Sequence, residues 1–337
     1  MPIDAERPVN PFDAALLQEL EDIRQQGLWR TLRCVDSAQG SRVSIDGQSL
    51  LNFSSNDYLG LANDPALQGA AAQAVAQFGA GSGASRLLGG SLRPHHDLEA
   101  ALAAFKGTEA ALAFSSGYAT ALGTLGALLG KDDIVVLDKL VHACLVDAAR
   151  LCGATIRVFK HNDLDSLARI LAWADARRRA AGKAPRNPRI LVVTESVFSM
   201  DGDVAPLREL VEIKDRHGAW LMLDEAHATG LFGPQRRGLA EARHVAARVD
   251  IQMGTLGKAL GAAGGYICGS RALIDLLINR ARSFIFSTAP PPATAATATA
   301  GVRLVQSVEG RLRCARLWDN VEQIKRPLRA LGWPVPD

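Results

Sequence analysis

Three residues with reactive side chains follow two short apolar segments of the sequence. Asp224 and His227 come after the segment 220–223, and Lys258 closes a glycine-flanked turn that follows the segment 251–253. A buried strand that carries an acid at its carboxyl end places that acid where open α/β sheets bind ligands. We therefore expect Asp224, His227 and Lys258 to converge on one crevice.

An acid, a histidine and a lysine in one crevice are the groups that a pyridoxal phosphate site needs. The lysine amine bonds to the cofactor, and the acid pairs with the pyridinium nitrogen. The Asp-Glu-Ala-His sequence at 224–227 also occurs in helicases, which need an earlier G-x-x-x-x-G-K-[ST] loop. The nearest match, at 254–259, has the wrong spacing, lacks the Ser/Thr and follows the acid. In the simplest interpretation, Asp224 caps a helix and Lys258 is a solvated loop residue.

The composition is that of a globular enzyme. The chain has 337 residues, of which 48% are hydrophobic and 22% charged, so two or three lobes are expected. A net charge of +3 gives no indication of nucleic-acid binding. The uncharged run 110–130 is long enough to cross a membrane, but its Ser, Thr and Gly residues favour a buried strand, turn and helix.

The cysteines and the amino terminus indicate the compartment. No CxxC or Cys/His spacing appears, so we expect neither a metal site nor a disulfide scaffold. Asp4 and Glu6 interrupt the amino terminus, and no apolar signal core follows, which favours a cytoplasmic location. The five cysteines are Cys34, Cys144, Cys152, Cys268 and Cys314.

Short apolar segments alternate with helical patterns along most of the chain, which predicts an α/β fold. Such alternation is typical of a mostly parallel sheet, here of seven strands, with helices on both faces. Predicted strands are 110–114, 134–137, 155–159, 190–194, 220–223, 251–253 and 265–268. Predicted helices are 12–33, 65–78, 95–106, 119–129, 143–151, 164–180, 207–217, 272–282 and 293–331. We predict an N-terminal helix and hairpin segment over 1–55, a large domain over 56–288 and the start of a C-terminal small domain over 289–337.

Several hydroxyl-bearing and glycine residues could hold a phosphate at the same sheet edge. The segment 115–120 joins a strand to a helix, and a helix amino terminus with free N–H groups binds phosphate. Gly117 would let the backbone come close, although an ordinary helix cap explains this segment equally well. Thr255, and the pair Ser287 and Thr288 before the prolines, are further hydroxyl donors.

Two other strand ends carry side chains that would face the crevice. His142 follows the strand 134–137, where its flat ring could stack on a cofactor, although a lone histidine is more often structural. Ser196 and Ser199 follow the strand 190–194. Because the carboxyl ends of parallel strands meet at one edge of a sheet, these residues join the same candidate site.

Eight segments, in order along nearly the whole chain, resemble those of the α-oxoamine synthase family of pyridoxal phosphate enzymes. The resemblance implies the aminotransferase-like fold (fold type I) with pyridoxal 5'-phosphate as cofactor. It also implies a homodimer with shared active sites and the decarboxylative condensation of an amino acid with an acyl thioester. The segments are LNFSSNDYLGL, GSGASRLLGGS, FSSGYATALG, DKLVHACLVDAAR, ESVFSMDGD, LDEAHATGLFG, GTLGKALGAAGG and FSTAPPP.

The resemblance also implies a role for each matching residue. Lys258 bonds covalently to the cofactor, Asp224 pairs with its pyridine nitrogen, and His142 stacks on its ring. His227 contacts the phenolic oxygen, with Ser199 nearby. These four implied catalytic residues are Lys258, His142, Asp224 and His227. The implied phosphate contacts are Gly117, Tyr118 and Thr255, with Ser287 and Thr288 of the partner subunit; the implied substrate contacts are Arg30, Asn56 and His142.

Among the reactions of the family, the resemblance favours that of biotin biosynthesis, with L-alanine and a pimeloyl thioester of coenzyme A or a carrier protein. Condensation of glycine with acetyl-CoA or succinyl-CoA, or of serine with palmitoyl-CoA, is an alternative. So are aminotransferase or lyase activity, and cofactor binding without activity. Family members continue for a further small domain whose arginine binds the amino-acid carboxylate, so we expect this chain to be truncated.

Overall fold

The chain divides into two compact units, Met1–Phe53 and Ser54–Asp337. The computed structural model describes residues 10–180 and 187–335, which leaves Asp4 and Glu6 outside the described residues. The domain boundaries after residues 55 and 288 stay predictions, as does the cytoplasmic location. In the described part, no helix combines the length and apolarity needed to cross a membrane.

The first unit contains one helix and one hairpin. Helix α1 (Pro11–Gln25) precedes strands β1 (Arg42–Ile45) and β2 (Gln48–Leu51), which pair antiparallel. The turn residues Asp46 and Gly47 both have positive φ angles, 51° and 74°, as the tight turn of a two-residue hairpin requires. The predicted hairpin is therefore confirmed.

The helix predicted over 12–33 is too long. Gly27 adopts φ +68° just after the helix, and its N–H donates to the Arg24 carbonyl at 2.9 Å. The Leu28 N–H donates to the Ile23 carbonyl at 3.0 Å, which completes a glycine-terminated helix end. Arg30 and Arg33 therefore lie beyond the helix instead of at its end.

A seven-stranded sheet forms the centre of the second unit. Its spatial order is β3-β9-β8-β7-β6-β4-β5, and only β9 runs antiparallel to its neighbours, so the predicted mostly parallel sheet is confirmed. The run 110–130 forms the buried strand and helix that its composition predicted. The strands are β3 (Ala110–Phe114), β4 (Ile134–Asp138), β5 (Thr155–Phe159), β6 (Ile190–Glu195), β7 (Trp220–Asp224), β8 (Ile251–Thr255) and β9 (Gly265–Gly269).

Helices cover both faces of this sheet. A short 3₁₀ helix (Ala246–Arg248) precedes β8. The α-helices are α2 (Pro65–Phe78), α3 (Arg93–Lys106), α4 (Gly117–Leu128), α5 (Ala143–Leu151), α6 (Leu164–Ala180), α7 (Leu207–Arg216), α8 (Leu239–Ala242), α9 (Arg271–Arg280), α10 (Arg282–Ile285), α11 (Pro292–Gln306) and α12 (Val308–Ala330).

The single helix predicted over 293–331 is wrong, because the chain breaks at Ser307. This residue is extended (φ −76°, ψ 175°), and its Oγ accepts the Gly310 N–H at 3.2 Å, which caps α12. Serine stabilises a helix start because its hydroxyl satisfies a backbone N–H that lacks a partner within the helix. Helical periodicity continues across such a break, so the pattern alone does not reveal it.

Outside the edge strand β5, nearly all the side chains of the seven-stranded sheet are buried on both faces, as in a sheet sandwiched between helices. Ile134 and Val136 of β4 pack in the apolar cluster that includes α6 and α7. Their neighbours Val135 and Leu137 pack in the cluster that includes α4 and α5. A third cluster joins α3, α11 and β9. This packing fixes the strand ends, and therefore the loops that follow them.

We expect Gly301→Ala to destabilise the protein by about 1–3 kcal/mol, the usual cost of overpacking. Helix α11 crosses the turn after Lys258 at Gly301, where an added Cβ would lie 2.2 Å from the Leu260 carbonyl oxygen. In Gly69→Ala, the matched control in α2, the Cβ meets no atom within 4 Å, so we expect a gain of about 0.5–1 kcal/mol. Urea denaturation measures both free energies of unfolding, and equal changes would contradict the close approach of α11.

Candidate active site

The carboxyl ends of six strands meet at one edge of the sheet, since β3, β4, β5, β6, β7 and β8 all point the same way. The loops after them carry most of the residues that the sequence singled out. Gly117 follows β3, His142 follows β4, and Lys258 follows β8. Glu195 and Asp224 are the last residues of β6 and β7, and they are direct neighbours in the sheet register.

A chain of hydrogen bonds leads to the Lys258 amine. The Lys258 Nζ lies 2.6 Å from His227 Nε2, and the Tyr58 hydroxyl lies 2.6 Å from His227 Nδ1. The same hydroxyl is 3.3 Å from Asn56 Oδ1. The structure therefore brings together the predicted Lys258, His227 and Asn56, with Tyr58 as the link between them.

Asp224 is buried, and burial raises the pKa of its carboxyl group. The Ala226 N–H donates to its Oδ1 at 2.9 Å and, with the positive charge of Lys258, acts in the opposite direction. A carboxylate in a poorly solvated position is stabilised by a cation brought against it. Asp224 is therefore suited to hold a positively charged nitrogen of a ligand.

Burial also moves the two basic groups of the site toward their neutral forms. It lowers the pKa of the Lys258 amine, although the charges of Asp224 and Glu195 act against it. Burial, together with the charges of Lys258 and His142, lowers the pKa of His227 to about 4. At neutral pH His227 is an uncharged hydrogen-bonding group, and Lys258 loses its proton more easily than an exposed lysine.

Sequence reasoning missed two members of the site. Burial and the neighbouring Asp224 raise the pKa of Glu195 to about 8, although its Oε1 accepts the His142 N–H at 2.5 Å. An acid at the end of an apolar segment was the signal for Asp224, and Glu195 carries the same signal. Tyr58 had no comparable signal, because it meets His227 from a loop 169 positions away.

The predicted phosphate-binding residues lie where β3 and β8 end. Gly117 begins α4, and an added Cβ there would meet no atom within 4 Å, so the space in front of this helix start is open. Tyr118 donates its hydroxyl to Asp147 at 2.9 Å. Thr255 donates to the Gly264 carbonyl at 3.1 Å, so its hydroxyl also braces its own turn. The start of α4, with its free backbone N–H groups, is the kind of position that favours an anion.

The remaining predicted residues lie in different places. His142 is exposed at the start of α5, where its Nδ1 accepts the Cys144 N–H at 3.2 Å. Ser199 is exposed in the loop after β6. Ser287 is half-buried and Thr288 exposed between α10 and α11. Arg30 belongs to the first compact unit, and its role stays a prediction.

Curated relatives match nearly the whole chain. A sequence model of the aminotransferase class I and II family matches residues 48–337. The 8-amino-7-oxononanoate synthase of Geobacter sulfurreducens is 50% identical over 315 residues, which cover 94% of this chain and 78% of that protein. The enzyme of the same name from Anaeromyxobacter sp. strain K is 52% identical over 322 residues, with the same coverage.

Solved structures agree with these sequence matches. A lysine-to-alanine variant of the serine palmitoyltransferase of S. paucimobilis, with a bound PLP–myriocin aldimine, is 32% identical with a TM-score of 0.85, covering 97% of this chain and 80% of that one. The 8-amino-7-oxononanoate synthase of Francisella tularensis is 28% identical with a TM-score of 0.70, covering 85% and 77%. The chain therefore belongs to the aminotransferase class I and II family, and within it to the group that includes the 8-amino-7-oxononanoate synthases.

Proposed function

We propose that the chain condenses L-alanine with a pimeloyl thioester, releasing carbon dioxide and a free thiol and forming 8-amino-7-oxononanoate for biotin biosynthesis. The observation that carries this proposal is the identity of 50% to relatives of that name over 94% of the chain. The sheet-edge residues supply the chemical groups that such a reaction needs. The sister reactions with glycine or serine use the same groups, so the amino acid must be established by experiment.

The residues at the sheet edge fit pyridoxal phosphate. Lys258 offers an amine with a lowered pKa, and Asp224 offers a buried carboxylate for a cationic ring nitrogen. The start of α4 at Gly117, where an added Cβ would meet no atom within 4 Å, would hold the phosphate. When bound, the cofactor supplies a sink for the electron pair that proton loss or decarboxylation leaves on the substrate carbon. In this proposal His142 would help to hold the ring of the cofactor, and His227 and Ser199 would help to hold its phenolic oxygen.

The side chains of this chain then handle protons and orientation. Lys258 Nζ is the base that accepts the proton from the alanine Cα, and its lowered pKa keeps part of the amine ready to do so. Asp224 keeps the ring nitrogen protonated, because a buried carboxylate strongly favours a cationic partner. His227 stays neutral, so it fixes the position of Lys258 Nζ without adding a further charge to the site.

We expect Lys258→Ala to lower kcat by at least about a thousandfold, because it removes both the covalent attachment and the base. It should also abolish the visible absorbance of the attached cofactor. After borohydride reduction, intact mass should show bound cofactor in the wild type and in Lys131→Ala, an exposed-lysine control, but not in Lys258→Ala. Normal turnover by Lys258→Ala would refute the assignment.

The substrate proposal is tested by the amino-acid dependence of thiol release from pimeloyl-CoA. We expect release with L-alanine, detected with Ellman reagent, and far less with glycine or serine. Release only with glycine or serine would move the chain to a sister activity. Bound cofactor without any release would identify a chain that holds the cofactor but is inactive. Repeating the assay with a pimeloyl-carrier protein identifies the acyl donor.

We further propose that two copies of the chain form a homodimer with shared sites, in which Ser287 and Thr288 of the partner subunit reach the phosphate. Apolar side chains close to this segment support the proposal. Leu88 and Phe286 have 77% and 71% of their surface exposed, and Leu87 is half exposed. Exposed apolar surface of this kind is typical of an interface between proteins.

Co-expression of two defective variants tests the shared site. In Lys258→Ala the lysine is lost, and in Thr288→Trp a large ring blocks the phosphate of whichever site Thr288 serves. If that site belongs to the partner, random pairing restores about a quarter of the wild-type activity, because half of the dimers carry one intact site. If Thr288 serves its own chain, the mixture stays as inactive as the separate variants.

A further inference from the structure

His161 lies between two carboxylates at the sheet edge that carries the candidate site. It stands in the loop between β5 and α6, where its Nδ1 is 2.8 Å from Asp138 Oδ1 and its Nε2 is 2.8 Å from Asp203 Oδ2. A neutral imidazole has one N–H and can donate to only one of these oxygens, whereas an imidazolium donates to both. We infer that His161 is a positioning residue, held as a cation, that ties the end of β4 to the loop 197–204 and so orients the segments that carry His142 and Ser199.

The Asp138 side of this contact fixes the approach to His142. Asp138 is the last residue of β4, and its side chain is fully buried. Its Oδ1 accepts the Leu140 N–H at 2.8 Å, and its Oδ2 accepts the Asn162 N–H at 3.0 Å. The carboxylate therefore holds both the start of the segment that leads to His142 and the loop that carries His161.

The Asp203 side fixes the loop that carries Ser199. The base of this loop is closed by a bridge between Val197 and Val204, and the Phe198 N–H donates to the Asp203 carbonyl at 3.0 Å. The Asn162 side chain donates to Asp203 Oδ2 at 2.8 Å. Asp203 thus attaches this loop to the loop that follows β5, beside a further bond from the Asn162 side chain to the Val204 carbonyl at 3.2 Å.

The surroundings favour the cation. Burial lowers the pKa of His161, but its hydrogen bonds to Asp138 and Asp203 and the charges of these carboxylates outweigh burial, so the pKa is raised. Among the described residues these two carboxylates face the ring, and Lys160 and Asp163 flank it in its own loop. The Phe198 ring packs edge-to-face against the His161 ring, at 4.4 Å and 89°, and restricts its rotation.

Asn162 offers the neutral ring an alternative donor, since its Nδ2 lies 3.3 Å from His161 Nε2. That contact is longer than the 2.8 Å to Asp203, and it would leave the Nε2 lone pair facing a carboxylate oxygen.

The contact of His161 with the two carboxylates makes stability depend on pH. Because the pKa of His161 in the folded protein is raised above that of the unfolded chain, about 6.5, this contact contributes its full stability below that pH. The contribution is lost as the pH rises through the folded pKa.

The proton state is tested by ¹⁵N NMR of the histidines in the cofactor-loaded protein. At pH 6.5 both ring nitrogens of His161 should give imidazolium shifts, and its midpoint should lie above 6.5. Asp203→Asn should lower that midpoint, whereas the control Asp201→Asn, an exposed carboxylate in the same loop, should not. One unprotonated ring nitrogen at pH 6.5, or equal midpoints in the two variants, would overturn the inference.

The positioning role is tested by the pH profile of thiol release, a readout that rests on the proposed function. With rising pH, kcat/KM should fall at the NMR midpoint of His161. In Asp203→Asn this fall should move to lower pH by the same amount as the midpoint, with the Asp201→Asn profile unchanged. A profile that does not follow the midpoint would reduce His161 to a purely structural contact. The NMR result stands independently if the substrate assignment fails.

Discussion

The burial of ionisable groups at one sheet edge is the constraint on which the rest of this structure depends. Asp224 and Glu195 sit side by side at the ends of β7 and β6, with the Lys258 amine close enough for its charge to affect both. Water would screen these groups and return their pKa values to ordinary levels. The apolar clusters on both faces of the sheet exclude that water, so the shifted pKa values of the site depend on the packing of the core.

The same constraint explains the residue next to Asp224. Glu225 directly follows the last residue of β7, and its side chain is buried in the protein. There its Oε2 meets the Lys106 amine at 2.5 Å, both side chains being almost fully buried, and its Oε1 accepts the Ala240 N–H at 2.9 Å. Removing one member of such a pair leaves a buried charge without a partner, which is strongly destabilising. The ion pair thereby holds the backbone in place directly after Asp224.

The sheet could be predicted because each strand is a short apolar run between turn residues, and the site because Asp224, His227 and Lys258 follow such runs. The features that the sequence did not predict depend on information that hydrophobic periodicity does not contain. The break between α11 and α12 depends on one hydroxyl, that of Ser307, which caps α12. Tyr58 reaches His227 only through the tertiary fold, and His161 meets Asp203 only because β4 lies between β5 and β6.

The hydrogen bonds around His227 also link the proton count of Lys258 to the loop that carries Tyr58. If the lysine is an ammonium, it donates to Nε2, so the neutral ring carries its proton on Nδ1 and donates to the Tyr58 oxygen. The tyrosine hydroxyl then donates to Asn56 Oδ1, its second neighbour at 3.3 Å. If the lysine is an amine, Nε2 carries the proton, and the Tyr58 hydroxyl turns to donate to Nδ1. Each proton state of Lys258 therefore keeps its bond to His227 and the bond from His227 to Tyr58. The change of state reverses these two bonds and breaks the bond from Tyr58 to Asn56 Oδ1, with no movement of the backbone required.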